Sequence, residues 1–367
     1  MIKDYYNVIG VMSGTSLDGI DLAHIKFHFQ DQKWIFEILE SETIAYNQGW
    51  INHLKLAVDY PKPELEKLNA AYTKLLASII STFIEKHKIS ALDAVCTHGH
   101  TILHQPEKGL TLQIGNLPSI STLTHQTVVC DFRVQDVKLG GQGAPLVPIG
   151  DRILFPEFDY CMNLGGFSNI SFEENKKRIA FDISPVNTVL NFYANQLGLN
   201  YDDKGKISRT GKSNERLLHK LNSLDYYKQK HPKSLGFEFV KEIVLPLIES
   251  FKIPIEDKLR TFTEHVALQT ALALDSFHHG GQVVPRNDEK ESLYITGGGA
   301  YNDFLIERIQ SCLPKMEIVI PPAKILEFKE ALIFALLGVL KLRDEINVLS
   351  SVTGAKNDHS SGIIYKP

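Results

Sequence analysis

Val8-Ile-Gly-Val-Met-Ser-Gly-Thr-Ser-Leu-Asp-Gly-Ile-Asp21 decides how this chain is read. A short apolar strand runs into a turn of glycines, hydroxyls and two aspartates, and a strand-like pattern resumes through Leu22, Ile25 and Phe27. Such a turn crowds backbone N–H groups and small hydroxyls, here at Ser13, Gly14, Thr15 and Ser16, into a space that suits an oxyanion such as phosphate. Asp18 and Asp21 add carboxylates at the distance where a hard divalent cation bridges to phosphate. No Gly-Lys-Ser/Thr follows and the three-glycine dinucleotide spacing is absent, so this is neither of the two common nucleotide loops. For this loop alone, a plain hairpin with solvated aspartates is the competing reading.

Outward from the loop, alternation predicts strands over 6–12, 20–29 and 34–43, then a helix over 63–87 and short strands at 94–97, 111–114 and 127–130. Near residue 158 the opening pattern restarts. Strands are expected over 158–164, 168–172 and 179–183, with a glycine turn at Gly165 and Gly166. Helices follow over 186–197, 213–221, 237–249 and 257–277, then a strand over 293–296 and a helix from about 301. The last helix, 326–341, is apolar nearly all round and should be buried. The duplicated pattern predicts two related α/β lobes with a cleft between them. The boundary is expected near 131–150, dividing the chain into 1–140 and 141–367, with the C-terminal helix as a second crossing.

At 367 residues, two comparable lobes fit better than one domain, and 43% hydrophobic with 22% charged residues is ordinary globular composition. A formal charge of −4 gives no support for nucleic-acid binding. No apolar run reaches membrane-spanning length, and the first residues lack the order of a signal peptide. Cys96, Cys130, Cys161 and Cys312 are scattered without a CxxC pair, which suits reduced thiols in a cytoplasm. The apolar C-terminal helix fits a core or a homodimer interface equally well.

Three glycine turns after strands carry the chemical expectation: 13–19, 163–169 (Gly165, Gly166, Asn169) and 296–302 (Gly297, Gly298, Gly299, Asn302). The first suits a γ-phosphate and its metal, the second a β-phosphate, and the third leaves bare backbone for a base or ribose. Each singly is weak, since turns need glycine anyway; together they point to a nucleotide. Asp182, at the end of a strand before Ser184-Pro185, is placed either as a general base or as the cap of the next helix. His98, His100 and His104, at even spacing on a strand, would share one face. Substrate contact or polar lining suits them better than a metal, because no further ligands lie nearby. Arg133 suits a two-pronged contact with a substrate carboxylate or a local ion pair with Asp131 or Asp136. Glu330, on the edge of the apolar helix, faces either solvent or the cleft.

With these residues assembled, the chain resembles the anhydro-N-acetylmuramic acid kinase family, within the sugar kinase, Hsp70 and actin superfamily, over almost its full length. The resemblance rests on Gly10 to Asp21, His98-Gly-His-Thr-Ile-Leu-His-Gln-Pro106, and Asp131-Phe-Arg followed by Gly140-Gly-Gln-Gly-Ala-Pro-Leu-Val-Pro148. It continues through Asn163-Leu-Gly-Gly-Phe-Ser-Asn169, Thr296-Gly-Gly-Gly-Ala-Tyr-Asn302 and Glu330-Ala-Leu-Ile-Phe-Ala335. It implies a two-lobed actin-like (ribonuclease H-like) ATPase fold, with ATP and Mg2+ driving cleavage of a 1,6-anhydro bridge and phosphorylation of O6. By the same resemblance Asp182 is the base for water, Glu330 and Arg133 position the sugar, and Asn187 belongs to the sugar site. The sequence departs from the family at Ile183, Ser184 and Val186 beside the base, while Pro185 and Asn187 remain, and at Asn191 where aspartate is common, at His100 where glutamine is usual, and at Phe237 where an arginine is common. A nucleotide- and sugar-binding sensor and a kinase for another sugar are the competing readings.

Overall fold

A computed structural model describes residues 2–14, 17–278 and 290–367. The chain forms two compact units, Met1–Leu154 with Phe328–Pro367, and Phe155–Glu327. The expected division at 140/141 therefore moves to 154/155. The helix Val147–Leu154 stays with the first unit because Gly150 packs directly on Ile333.

In the first unit, β1 (Tyr5–Ser13), β2 (Ile20–Gln30) and β3 (Lys33–Ile44) form an antiparallel meander, and β4 (Ala94–Gln105) and β6 (Val128–Cys130) extend it in parallel on the other side of β1. A short β5 (Leu110–Ile114) pairs with β4, and the terminal strand Ile363–Tyr365 closes the edge at β6, giving a seven-stranded sheet. Alternation on β1 splits its side chains between two layers. Ile9 and Val11 join Tyr72, Leu76 and Ile80 of the helix Lys62–Lys86 in one core cluster. On the opposite face, a Cβ at Gly10 would overlap the Ala331 carbonyl, so glycine lets the C-terminal helix lie directly on the sheet. That helix, Ala323–Leu342, is buried along Ala331–Leu340, as its all-round apolarity predicts. Its apolar surface is core of the first unit, not a face left for a partner. Helical geometry breaks at Phe328 (φ −109°, ψ 16°), where the chain passes from one unit to the other.

The second unit repeats the topology. β7 (Tyr160–Leu164), β8 (Phe167–Glu174) and β9 (Lys177–Pro185) form the antiparallel meander, and β10 (Ser292–Thr296) and β11 (Glu317–Val319) continue in parallel beside β7. Its core gathers Met162, Leu164, Ile170, Val189 and Phe262, among others. The expected helix over 237–249 is instead Phe237–Phe239, a π turn Val240–Val244 and Leu245–Glu249. Among the described residues no helix is long and apolar enough to cross a membrane.

Candidate functional site

Asp182 stands on β9 with Asn169 of β8 as its cross-strand partner, beside a register shift in the ladder. Its backbone is fixed on both sides. The N–H donates to the Lys233 carbonyl at 3.1 Å, and the carbonyl accepts from the Tyr226 hydroxyl at 2.5 Å. Among the described residues the carboxylate accepts one hydrogen bond, at Oδ2 from the Leu235 N–H at 2.8 Å. Desolvation raises the carboxyl above its ordinary value, and that N–H opposes the rise. Asp182 does not cap the helix Asn187–Gln196, which has no side-chain cap. The first N–H groups there bond to the Gly165 and Gly166 carbonyls instead, with Val186 N at 2.8 Å and Asn187 N at 3.3 Å.

The two glycine turns of this unit meet at Leu164. Gly297 adopts φ +84°, and a Cβ there would sit 2.5 Å from Asn163 Oδ1 and 2.8 Å from the Leu164 carbonyl. Asn187 Nδ2 reaches the same carbonyl at 3.4 Å, and Gly298 lies beside that amide. Gly165, Gly166, Asn187 and Gly297–Gly299 are thus one assembly, with Asn169 exposed at its side. Asn302 serves the fold: its Oδ1 accepts from Leu305 N at 3.0 Å as the N-cap of the helix Asp303–Cys312.

In the first unit, Ser13 ends β1 buried, Gly14 is half-buried and Asp18 is exposed. Thr15 and Ser16 lie outside the described residues. Asp21 accepts from the Thr43 hydroxyl at 2.6 Å. Among the described residues no cluster of three or more His, Cys, Asp or Glu is placed to hold a metal. Asp18 and Asp21 nevertheless supply hard oxygen donors of the kind Mg2+ takes, since it is usually held by one or two carboxylates alongside phosphate and water.

The three histidines do not share a face. Gly99 adopts φ +73°, which breaks the strand's alternation. His98 packs on Phe334, and His100 turns to Tyr46 and Tyr72. His104 bonds to Thr111 at 3.1 Å. Arg133 Nε donates to His98 Nε2 at 2.7 Å and Nη1 to the Gly143 carbonyl at 2.6 Å. Of the two local ion pairs expected for it, neither forms among the described residues. The Asp136 carboxylate is taken by Gly143 N at 2.6 Å and the Thr353 hydroxyl at 2.7 Å. Burial lowers Arg133 to about 10, which leaves it charged at neutral pH, and Glu330 and Asp136 oppose the shift. Glu330 is open to solvent yet crowded by protein. Desolvation raises its carboxyl, Asp21 adds to the rise, and Arg133 and Lys329 oppose it. Glu330, Arg133, His98 and Asp21 are therefore gathered in one unit.

A family model for anhydro-N-acetylmuramic acid kinase matches residues 6–367. The chain belongs to the anhydro-N-acetylmuramic acid kinase family. Relatives bearing that name include one from Pseudomonas syringae, 34% identical with 97% of this chain and 98% of the relative covered. Another, from Mannheimia succiniciproducens, is 32% identical with both chains fully covered. Component A of (R)-2-hydroxyglutaryl-CoA dehydratase from Acidaminococcus fermentans superposes at a TM-score of 0.46 and 13% identity, covering 93% of this chain and 100% of that one. That likeness is slight, and family membership rests on the sequence matches.

Within this kinase family member, the departures beside Asp182 are buried. Ile183 and Val186 enter the core cluster, and the Ser184 hydroxyl lies 3.1 Å from that of Ser168. They build the wall behind Asp182 and leave its carboxylate where Leu235 holds it. Sequence reading missed that partner, 53 positions away, because nothing in the local pattern links the two. It also missed the buried ion pair of Lys329 with Asp151 at 2.8 Å, whose signal was a lysine at the head of an apolar helix.

Proposed function

We propose that this protein opens 1,6-anhydro-N-acetylmuramic acid hydrolytically while transferring the γ-phosphoryl group of ATP to O6, giving N-acetylmuramic acid 6-phosphate and ADP in cytoplasmic murein recycling. The observation that carries the reading is the Asp182 carboxylate: half-buried, raised, oriented by one backbone N–H and engaged with no helix cap. Such a group accepts a proton from water more readily than a solvated carboxylate.

In the step proposed, Asp182 takes a proton from water as the water oxygen bonds to the anomeric carbon. The C1–O6 bond breaks, O6 bonds to the γ-phosphorus, and the bond to the ADP oxygen breaks. The bridge oxygen leaves carbon and is captured by phosphorus, so no separate acid is needed. The base half resembles that of an inverting glycosidase. Backbone donors of the Ser13–Gly14 turn and of Gly297–Gly299 stabilise phosphoryl oxygens. Mg2+, when held by Asp18 and Asp21, supplies charge neutralisation at the phosphates. Arg133, with the outer edge of its guanidinium unpaired among the described residues, binds the lactyl carboxylate, and Glu330 orients sugar hydroxyls.

Incubation with ATP, Mg2+ and the anhydro sugar tests this. A phosphorylated reducing sugar formed in step with ADP is expected. Tight binding of both ligands without product would identify a sensor instead, and product from other sugars alone would identify a different kinase.

A further inference from the structure

The motif Gly140-Gly-Gln-Gly143 has no role in the step proposed above, yet it closes around a wholly buried carboxylate, that of Asp136 in the short helix Val134–Lys138. The Gly141 N–H donates to the Asp136 carbonyl at 2.9 Å, and the Gly143 N–H donates to Oδ2 at 2.6 Å. A Cβ at Gly141 would sit 2.1 Å from Oδ2, and Gly143 adopts φ +69°. Glycine at these two positions is what lets the turn wrap so tightly on the carboxylate.

The other carboxylate oxygen is met from the far end of the chain. The Thr353 hydroxyl donates to Asp136 Oδ1 at 2.7 Å, a closer acceptor than the Leu349 carbonyl at 3.4 Å, and His359 Nε2 stands 3.6 Å from the same Oδ1. Backbone and hydroxyl contacts follow on both sides. The Thr353 carbonyl accepts from the Gln142 N–H at 2.8 Å, the Lys356 N–H donates to the Leu139 carbonyl at 3.0 Å, and the Ser361 hydroxyl donates to the Phe132 carbonyl at 2.6 Å. Residues 353–361 therefore brace the segment 132–143 at both of its ends, and all of these residues lie in the first unit.

Arg133 spans the braced segment. Its Nη1 donates to the carbonyl of Gly143, the residue whose N–H is held by Asp136, while its Nε is held by His98. A two-pronged contact with a carboxylate depends on the plane of the guanidinium, and a small misplacement of such a clamp is costly. We propose that Asp136 is a positioning residue for Arg133, set in place by Thr353 from the C-terminal segment. Together they fix the Gly143 carbonyl, and with it the plane in which Arg133 meets the carboxylate of the substrate. This rests on the reading of Arg133 as the partner of the lactyl carboxylate.

Asp136→Asn places an amide in a wholly buried site and threatens folding, so Thr353 carries the test. In the full chain, Thr353→Val should raise the KM for the anhydro sugar about fivefold, equivalent to about 1 kcal/mol. Its kcat and its KM for ATP should stay within about twofold of the parent, the pattern of lost substrate binding rather than lost chemistry. Thr353→Ser, which keeps the hydroxyl, should return the sugar KM to within about twofold of the parent. Added to Arg133→Lys, Thr353→Val should raise the sugar KM by less than about twofold, because the group it positions is already gone. An unchanged sugar KM in folded Thr353→Val, or an undiminished rise on the Arg133→Lys background, overturns the proposal. If Arg133→Lys alone leaves the sugar KM unchanged, the carboxylate contact assigned above is wrong. Hydrogen exchange of peptides covering 140–143 then decides the positioning by itself. Faster exchange in Thr353→Val than in the parent supports it, and equal exchange overturns it.

Discussion

Arg133 Nε donates to His98 Nε2 at 2.7 Å, while His98 Nδ1 lies 2.9 Å from the Gly99 carbonyl. A carbonyl oxygen only accepts, so Nδ1 carries the ring proton and Nε2 receives the guanidinium N–H. Both nitrogens are engaged within the protein. His98, expected from sequence as a substrate contact, is therefore placed to act through Arg133 instead. Desolvation first, and then the adjacent guanidinium, hold it well below the ordinary histidine value and neutral.

His98→Leu should free the Arg133 fork to rotate without removing its charge. The KM for the anhydro sugar should rise about tenfold, or about 1.4 kcal/mol, with kcat within about threefold. Arg133→Lys should cost more, because a single ammonium cannot replace a planar fork. Steady-state kinetics on both variants separates the two losses; a fall in kcat at constant KM in His98→Leu would refute a positioning role.

Asp182→Asn keeps shape and removes basicity. Loss of a positioned base costs about 10²–10⁴ in rate, so kcat should fall within that range while ATP binding by calorimetry is unchanged. The acid limb of the parent kcat profile should report the same group. In the proposed step the carboxylate works ionised and burial raises it, so rate should climb with pH through a midpoint above the ordinary aspartate value. A residual Asp182→Asn activity should lack that limb.

Lys329 and Asp151 are both nearly inaccessible and pair at 2.8 Å. Removing one member of such a pair leaves a buried charge without its counter-charge, typically at about 3–5 kcal/mol, whereas replacing both with apolar residues removes the two charges together. Lys329→Met should lower the denaturation midpoint sharply, and adding Asp151→Leu should recover most of it. An additive double variant, measured by chemical denaturation, would contradict this coupling.

Legibility from sequence tracked the range of the interactions involved. The meander of β1 to β3 and its repeat in β7 to β9 were readable because alternation and turn glycines are local signals. A short strand was expected over 94–97, ahead of Gly99. Its left-handed backbone instead lets the strand continue to Gln105 through an irregularity, and this swings His98 and His100 to opposite sides. The helix Gln48–Leu56 was missed although Asn47 caps it, accepting from Trp50 N at 3.0 Å. What sequence could not supply were partners distant along the chain: Leu235 for Asp182, Asp151 for Lys329, and Tyr46 and Tyr72 for Ser13. Packing sets these, and no spacing rule reaches across so many residues.

Three buried histidines make stability depend on pH. His265 illustrates why. Its Nδ1 donates to Asn222 Oδ1 at 2.6 Å and its Nε2 accepts from the Tyr227 hydroxyl at 2.8 Å, so the neutral ring is fully satisfied. Desolvation lowers it to about 3, and lowers His100 to about 4 and His98 well below its ordinary value. In the unfolded chain all three take up protons below about pH 6.5, whereas the folded chain resists. Unfolding therefore binds protons, and stability is complete above pH 6.5 and falls as pH drops through and below it. Each histidine contributes a slope of up to about 1.4 kcal/mol per pH unit, until its folded-state value is reached. The denaturation midpoint should be flat from pH 7 to 8 and decline steeply from 6.5 to 5. His265→Gln should lower the plateau but flatten that decline by one histidine's share; an unchanged slope in this variant would remove His265 from the account.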